Sequence, residues 1–134
     1  MITFENVSKI YKGSVTALSA ATATIEKGEF VFLVGPSGSG KSTVLRLINR
    51  EETADRGRIF VAGKDIARLS SWRVPYLRRN IGCIFQDYKL LTTKTVYENV
   101  AFALEVIGRP RHVVKAQVPA ILELVGLDTK ADNR

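Results

Sequence analysis

A run of glycine, serine and lysine residues at positions 35–43 has the composition and spacing of a phosphate-binding loop. Its members are Gly35, Pro36, Ser37, Gly38, Ser39, Gly40, Lys41, Ser42 and Thr43. The glycines let the backbone turn so that successive N–H groups point into one concavity. Lys41 would supply a point charge for the β- and γ-phosphates, and the Ser42 hydroxyl would be a ligand for Mg²⁺. The pattern therefore predicts binding of a nucleoside triphosphate.

The elements around this loop are those that such a loop requires. The apolar residues 30–34 directly precede it and predict a strand, and residues 41–50 have the apolar spacing of a helix. The N-terminal dipole of that helix would add to the anion site. Further strands are predicted from Ile2 and over residues 15–25, residues 58–65 predict a short strand and a turn, and residues 72–79 favour a basic helix. Residues 81–85, which include Cys83, predict a buried strand.

The second half of the chain has helical patterns. Thr95 and Glu98 have the spacing of a capping box at a helix start, and Gly108 and Pro110 predict the end of that helix. The last helical pattern contains Pro119, so we expect either a kink or a helix that starts near this residue. Together the patterns predict an α/β core with a helical subdomain attached.

Composition and charge restrict the class of protein. The 134 residues suit about one domain, and they include 46% hydrophobic residues but no apolar run of the ~20 residues that a membrane span needs. The net charge is +7, and most of the excess lies in residues 41–80. We interpret this excess as a solvated face, with a membrane surface as the main functional alternative. No nucleic-acid module is recognisable, and the single cysteine and the lack of a signal peptide favour the cytoplasm.

Three further features resemble the ATPases of the ABC-transporter family. Tyr11 lies 24 residues before the loop, Gln86 follows the apolar run 81–85, and residues 56–65 resemble the strand pair between these two motifs. The resemblance implies that the Tyr11 ring stacks on the adenine of ATP, although a structural tyrosine at a strand end stays possible on its own sequence. It also implies that the carbonyl oxygen of Gln86, with Ser42, holds Mg²⁺.

Residues 77–82, 85–91 and 95–101 are most similar to the cell-division branch of that family, FtsE. This implies a cytoplasmic subunit, peripheral on the inner face of the cell membrane, that couples ATP binding and hydrolysis to transmembrane signalling for cell-wall remodelling. Its partner would be an integral membrane permease-like protein of the FtsX type, contacted through residues 86–100, from Gln86 to Val100. The full-length ATPase would be a homodimer, and no nucleic acid is expected. A lipoprotein-release or macrolide-export ATPase is the alternative within the family.

The resemblance implies an α/β P-loop NTPase fold of ABC type that is incomplete. Residues 1–94 would form the β-rich subdomain and the P-loop core to the Gln86 loop, and residues 95–134 the start of the helical subdomain. The sequence contains neither the Leu-Ser-Gly-Gly signature nor a Walker B aspartate with its glutamate, and its single histidine, His112, does not match the switch histidine. We therefore expect no catalytic residue and no hydrolysis from these residues alone. A guanylate-kinase type enzyme and a non-catalytic nucleotide-binding module that docks on a membrane protein or anionic lipid are the other hypotheses.

Overall fold

The computed structural model describes all 134 residues, which form two compact units, Met1–Gly82 and Cys83–Arg134. The division of the two units thus falls after Gly82. The division expected after residue 94, between the β-rich P-loop core and the helical subdomain, stays a prediction.

The first unit is built on one antiparallel sheet of four strands. These are β1 (Ile2–Tyr11), β2 (Val15–Ile25), β3 (Arg56–Val61) and β4 (Lys64–Asp65), and their order in the sheet is β2-β1-β3-β4. The pairs β1–β2, β1–β3 and β3–β4 are all antiparallel. The strands predicted from Ile2 and over residues 15–25 are therefore confirmed, as are the short strand and turn predicted over residues 58–65, since β3 turns at Ala62 and Gly63.

Helix α1 (Lys41–Ile48) packs against this sheet through its apolar side. The core that they share consists of Phe4, Val7, Leu47, Ile48, Ile59 and Ile66. A short helix, α2 (Val74–Arg79), follows a 3-10 turn and is tied to the C-terminal end of α1. The Arg78 guanidinium donates to the carbonyl oxygens of Asn49 at 2.9 Å and of Arg50 at 3.1 Å. A cation at this end satisfies carbonyls that have no partner within the helix.

The strands predicted over residues 30–34 and 81–85 are wrong. Both segments are irregular, and Cys83 is exposed rather than buried. Phe30, Val34 and Ile84 are 82%, 84% and 98% exposed. A strand exists only where a neighbouring strand accepts its backbone hydrogen bonds, and neither segment pairs with any of the four strands of the sheet. The prediction rested on apolar composition alone, and each segment would need a neighbouring strand to become a strand.

The second unit consists mainly of two helices, α3 (Val96–Val106) and α4 (Arg111–Leu124). They meet through the buried residues Ala101, Val114, Val118 and Leu122. The predicted capping box is confirmed: the Glu98 amide donates to the Thr95 hydroxyl at 3.1 Å, and the Thr95 amide donates to the Glu98 carboxylate at 2.8 Å. The hydrogen bond from the Thr95 amide is the main cause that lowers the pKa of Glu98, with Lys94 as a further cause.

Helix α4 begins at Arg111 and runs through Pro119, so the alternative of a helix start near this residue is wrong, and the alternative of a kink stays a prediction. An interior proline costs ~3 kcal/mol. Burial of a valine or leucine side chain contributes ~1.5–3 kcal/mol each, and Val114, Val118 and Leu122 are all buried on this helix. Their burial outweighs the cost of the proline. None of the helices in the structure combines the length and the apolar character needed to cross a lipid bilayer.

Candidate functional site

The glycine-rich loop leads directly into the N-terminus of α1. Gly40 is the N-cap of that helix with a left-handed φ of 93°, and no side chain caps the helix, so its first N–H groups have no side-chain acceptor. A Cβ atom on Gly40 would also collide with the carbonyl oxygen of Ala17 in β2. Only glycine meets both conditions, because it tolerates positive φ and has no Cβ. The free N–H groups at the start of α1 are what an anion would bind.

Lys41 is folded back over the loop that precedes it. Its ammonium donates to the carbonyl oxygens of Gly35 at 2.7 Å and Pro36 at 2.6 Å, and it lies 3.3 Å from the Ser39 hydroxyl. All three partners are neutral, and Lys41 forms no ion pair with a carboxylate. The positive charge is therefore held above the loop and is not neutralised by the chain. A phosphate group placed in the loop would meet an oriented, uncompensated cation.

Ser42 and Thr43, the next two residues, point in different directions. Ser42 is exposed, whereas Thr43 is buried at 7% exposure. The Thr43 hydroxyl lies 3.3 Å from the Tyr11 hydroxyl, at hydrogen-bond distance. This contact joins α1 to the end of β1. It brings Tyr11, distant in sequence, next to the loop.

Lys9 lies beside Tyr11 and was missed by the sequence analysis. Its ammonium lies 5.3 Å from the centre of the Tyr11 ring, donates to the Thr53 carbonyl at 2.9 Å and pairs with Glu52 at 3.1 Å. The Lys9 residue is 8% exposed, so the charge is buried and held by two partners. Residues two apart on a strand share a face, and this spacing could have linked Lys9 to Tyr11. Tyr11 is thus held by its hydroxyl at one end and by a cation near its ring.

These residues enclose a cavity of about 330 Å³. Its lining consists of Tyr11, Val15, Ala17, Ser37, Gly38, Gly40, Lys41, Ser42 and Thr43. The volume lies within the range of small-molecule clefts, which is ~300–1,000 Å³. An aromatic ring and a cationic glycine-rich loop in one cavity suit a ligand that has a planar base and a phosphate chain.

The oxygen donors of this cavity also fit a small hard cation, although no group of three or more His, Cys, Asp or Glu side chains could hold a metal by itself. Mg²⁺ is usually held by one or two protein groups together with substrate phosphates and water. The exposed Ser42 hydroxyl in the cavity is such a group.

Gln86 and the segment 86–100 belong to the second unit. Gln86 is exposed in a turn over residues 86–89, and Asp87 in the same turn pairs with Lys89 at 2.6 Å. This hydrogen bond is the main cause that lowers the pKa of Asp87. Tyr11 and residues 35–43 lie together in the first unit, and Gln86 lies in the second.

An apolar groove of about 450 Å³ lies along the segment 86–100 within the second unit. Leu90 and Leu91 form one wall, and Phe102 and Val106 of α3 form another. Asn99 holds the loop on α3: it accepts from the Leu91 amide at 2.8 Å and donates to the Leu91 carbonyl at 3.1 Å. These two hydrogen bonds tie the loop at Leu91 to α3 beside the groove.

The model of one protein family, described as ABC transporter, matches residues 18–134. Cell division ATP-binding protein FtsE of Bacillus subtilis is 50% identical over 131 residues, which is 98% of this chain and 58% of that protein. FtsE of Mycobacterium tuberculosis is 52% identical over 134 residues, 99% of this chain and 58% of that protein. FtsE of Escherichia coli is 48% identical over 133 residues, 99% of this chain and 60% of that protein. The chain thus spans somewhat less than two thirds of the length of these relatives.

The fold is similar to solved ATP-binding cassettes. A dimeric cassette in a post-hydrolysis state bound to ADP and Pi superimposes with a TM-score of 0.88 at 30% identity, over 100% of this chain and 61% of that one. CbiO1 from Clostridium perfringens, part of an ABC transporter complex, gives a TM-score of 0.86 at 28% identity, over 98% of this chain and 53% of that one. The α/β fold of ABC type expected from the sequence is confirmed.

Proposed function

The chain belongs to the ABC transporter family, and from this premise we propose that it is an ATP-binding subunit of an ABC-type complex that acts in cell division. One observation carries the proposal: the Lys41 ammonium is held at 2.6–2.7 Å over the carbonyls of a glycine-rich loop that opens into the cavity shared with Tyr11. The similarity to FtsE proteins over nearly the whole chain supports the cell-division context. The cassette bound to ADP and Pi supports nucleotide as the ligand.

In this proposal each end of the cavity binds one part of ATP. The Tyr11 ring stacks on adenine, because an aromatic ring offers a polarizable face at a small cost in entropy. Residues 35–43 bind the phosphates through backbone N–H groups and the Lys41 ammonium. Ser42 is the residue of this cavity that would hold Mg²⁺, which when bound would neutralise phosphate charge, and the part of Gln86 stays an expectation from the resemblance.

A nucleotide titration with a matched variant tests this proposal. Lys41→Ala removes charge-assisted hydrogen bonds that are worth ~1.5–3 kcal/mol, so we expect ATP affinity to fall by roughly 10- to 100-fold. Arg46→Ala on the same helix removes one positive charge outside the cavity and should leave the affinity nearly unchanged. GMP should bind far more weakly than ATP. Equal affinities for ATP and GMP would favour the guanylate-kinase hypothesis instead.

The 134 residues alone are proposed to bind ATP without turning it over. They lack the signature sequence, the Walker B aspartate and the glutamate that polarises water, and phosphoryl transfer depends almost entirely on such positioning and electrostatic groups. The pure chain should release no phosphate from ATP above background. Turnover that is abolished by Lys41→Ala would contradict this.

We also propose that residues 86–100 bind an integral membrane protein of the FtsX type, on the inner face of the membrane, and that the full-length ATPase is a homodimer. The apolar groove beside α3 supports this, because Leu90 and Phe102 are 66% and 48% exposed on a surface where Asn99 ties the loop to α3. Leu90→Glu should abolish co-purification with an FtsX-type partner. Leu124→Glu places the same charge at an exposed position of α4 outside the groove and should not. Equal retention of both variants would contradict the assignment.

A further inference from the structure

A second apolar groove lies in the first unit, between β3 and α2, and we call it the Trp72 groove. It has a volume of about 420 Å³, its floor includes Val61, Leu69 and Leu77, and its rim is formed by Trp72 and Tyr76. Trp72 is 64% exposed and Tyr76 is 56% exposed, and the two rings meet edge to face at 6.4 Å. Two large aromatic residues are thus presented to solvent above an apolar floor.

The rim of the Trp72 groove is positively charged. The Arg73 guanidinium lies 4.8 Å from the centre of the Trp72 ring, and the Arg79 guanidinium lies 4.9 Å from that of Tyr76. Lys64 lines the same groove, no carboxylate lines it, and none of these three cations forms an ion pair. Residues 58–80 include six Lys or Arg and a single Asp. The Trp72 groove is therefore apolar, and the positive charges around it have no carboxylate partner.

We propose that the Trp72 groove docks on the surface of a lipid bilayer that contains anionic headgroups. Tryptophan and tyrosine prefer the boundary between headgroups and acyl chains, because one end of the ring system is apolar and the other is polar. Cations at the same depth are attracted by anionic headgroups. Because each guanidinium stays next to its ring, the ring and the charge reach this boundary together.

The arrangement suits lipid better than nucleic acid. Stacked bases would use only the ring faces of Trp72 and Tyr76, whereas acyl chains would also contact the apolar floor beneath the rings, which includes Val61, Leu69 and Leu77. An apolar floor flanked by unpaired cations matches the acyl and phosphate layers of a bilayer. The inference does not depend on the nucleotide site, since none of the groove residues lines that cavity.

Trp72 is the single tryptophan of the chain, so its fluorescence reports on this surface alone. The whole 134-residue chain would be mixed with vesicles of phosphatidylcholine alone or of phosphatidylcholine with phosphatidylglycerol. We expect binding to the anionic vesicles only, weaker binding as salt is raised, a blue shift of Trp72 emission and quenching by brominated acyl chains. Equal binding to both vesicles, no binding, or binding without a change in Trp72 emission would overturn the proposal.

A pair of double variants separates local charge from total charge. Arg73→Gln with Arg79→Gln should weaken vesicle binding by roughly 25-fold, since each basic residue near an anionic surface contributes about fivefold. Arg109→Gln with Arg111→Gln removes the same charge at exposed positions of the second unit and should change binding little. Equal effects of the two double variants would overturn the proposal. Far-UV circular dichroism would show that both remain folded.

Discussion

At the scale of single residues, the cavity depends on contacts that link positions far apart in the chain. The Lys41 ammonium contacts carbonyl oxygens of its own loop, so the spacing of the motif alone places Lys41 beside the glycines, and its role at the phosphates stays a prediction. The position of Tyr11 depends on Thr43 and on the Lys9 ammonium, which is held by Glu52 and Thr53. The sequence could predict the Tyr11 role only by resemblance, because the packing of β1 on α1 is what brings these side chains together.

Lys9 is expected to position Tyr11 for the base of ATP. A cation near an aromatic ring is worth ~0.5–2 kcal/mol, so Lys9→Met should weaken ATP binding by roughly twofold to 30-fold. Tripolyphosphate has no base, and its affinity should stay unchanged. Lys12→Met removes an exposed charge nearby and is the matched control for calorimetric titrations with both ligands. An equal loss for ATP and tripolyphosphate would show that Lys9 acts on the phosphate site instead.

At the scale of elements, contacts with neighbouring elements decided the outcome: strand pairing decided which apolar segments became strands, and helix packing decided where α4 runs. The alternating residues 15–25 formed β2 because β1 lies next to them, whereas the more apolar residues 30–34 remain irregular because no strand of the sheet pairs with them. A pattern in a single sequence indicates apolar character and periodicity, but it does not indicate whether another strand will lie alongside to pair with the segment. The same reasoning explains Pro119, since the packing of α4 against α3 outweighed a local cost.

Because the loop lies close to β2 at Gly40, we expect a substitution there to lower the stability of the first unit. Gly40→Ala should destabilise the first unit by more than the ~1–2 kcal/mol that a left-handed alanine costs, because its Cβ would also collide with the Ala17 carbonyl. Gly63→Ala has a similar φ of 77° with no atom near its Cβ, and it isolates the cost of the backbone conformation. Urea denaturation followed by Trp72 fluorescence measures both variants. Equal destabilisation would show that the loop moves away from β2 at little cost.

The capping box of α3 should make the stability of this helix depend on pH. Because the pKa of Glu98 is lowered in the folded chain, its contribution to stability is fully present above the unfolded pKa of ~4.3 and is lost as pH falls through the lowered value. Amide protection at the start of α3 should therefore decrease at acid pH. Glu98→Gln keeps an acceptor but does not titrate, and Asp87 is present in both proteins. A pH profile that Glu98→Gln leaves unchanged would contradict the assignment.

At the scale of the whole molecule, the two compact units carry different surfaces. The first holds the nucleotide cavity and the Trp72 groove, and the second holds the groove beside α3. We propose that one unit binds nucleotide while the other offers a surface to a membrane partner, which is the division of labour that an ATP-driven complex requires. The excess of positive charge lies mainly in the first unit, where residues 41–80 hold ten Lys or Arg against four Asp or Glu.

The central claim is that the cavity between Tyr11 and residues 35–43 binds ATP by its base and its phosphates. The most direct test is to record amide and aromatic chemical shifts of the isotope-labelled chain during titrations with Mg-ATP and with tripolyphosphate. We predict that both ligands shift the amides of residues 35–43 and that only ATP shifts the Tyr11 ring. Shifts confined to other residues, or an equal Tyr11 shift with tripolyphosphate, would contradict the account.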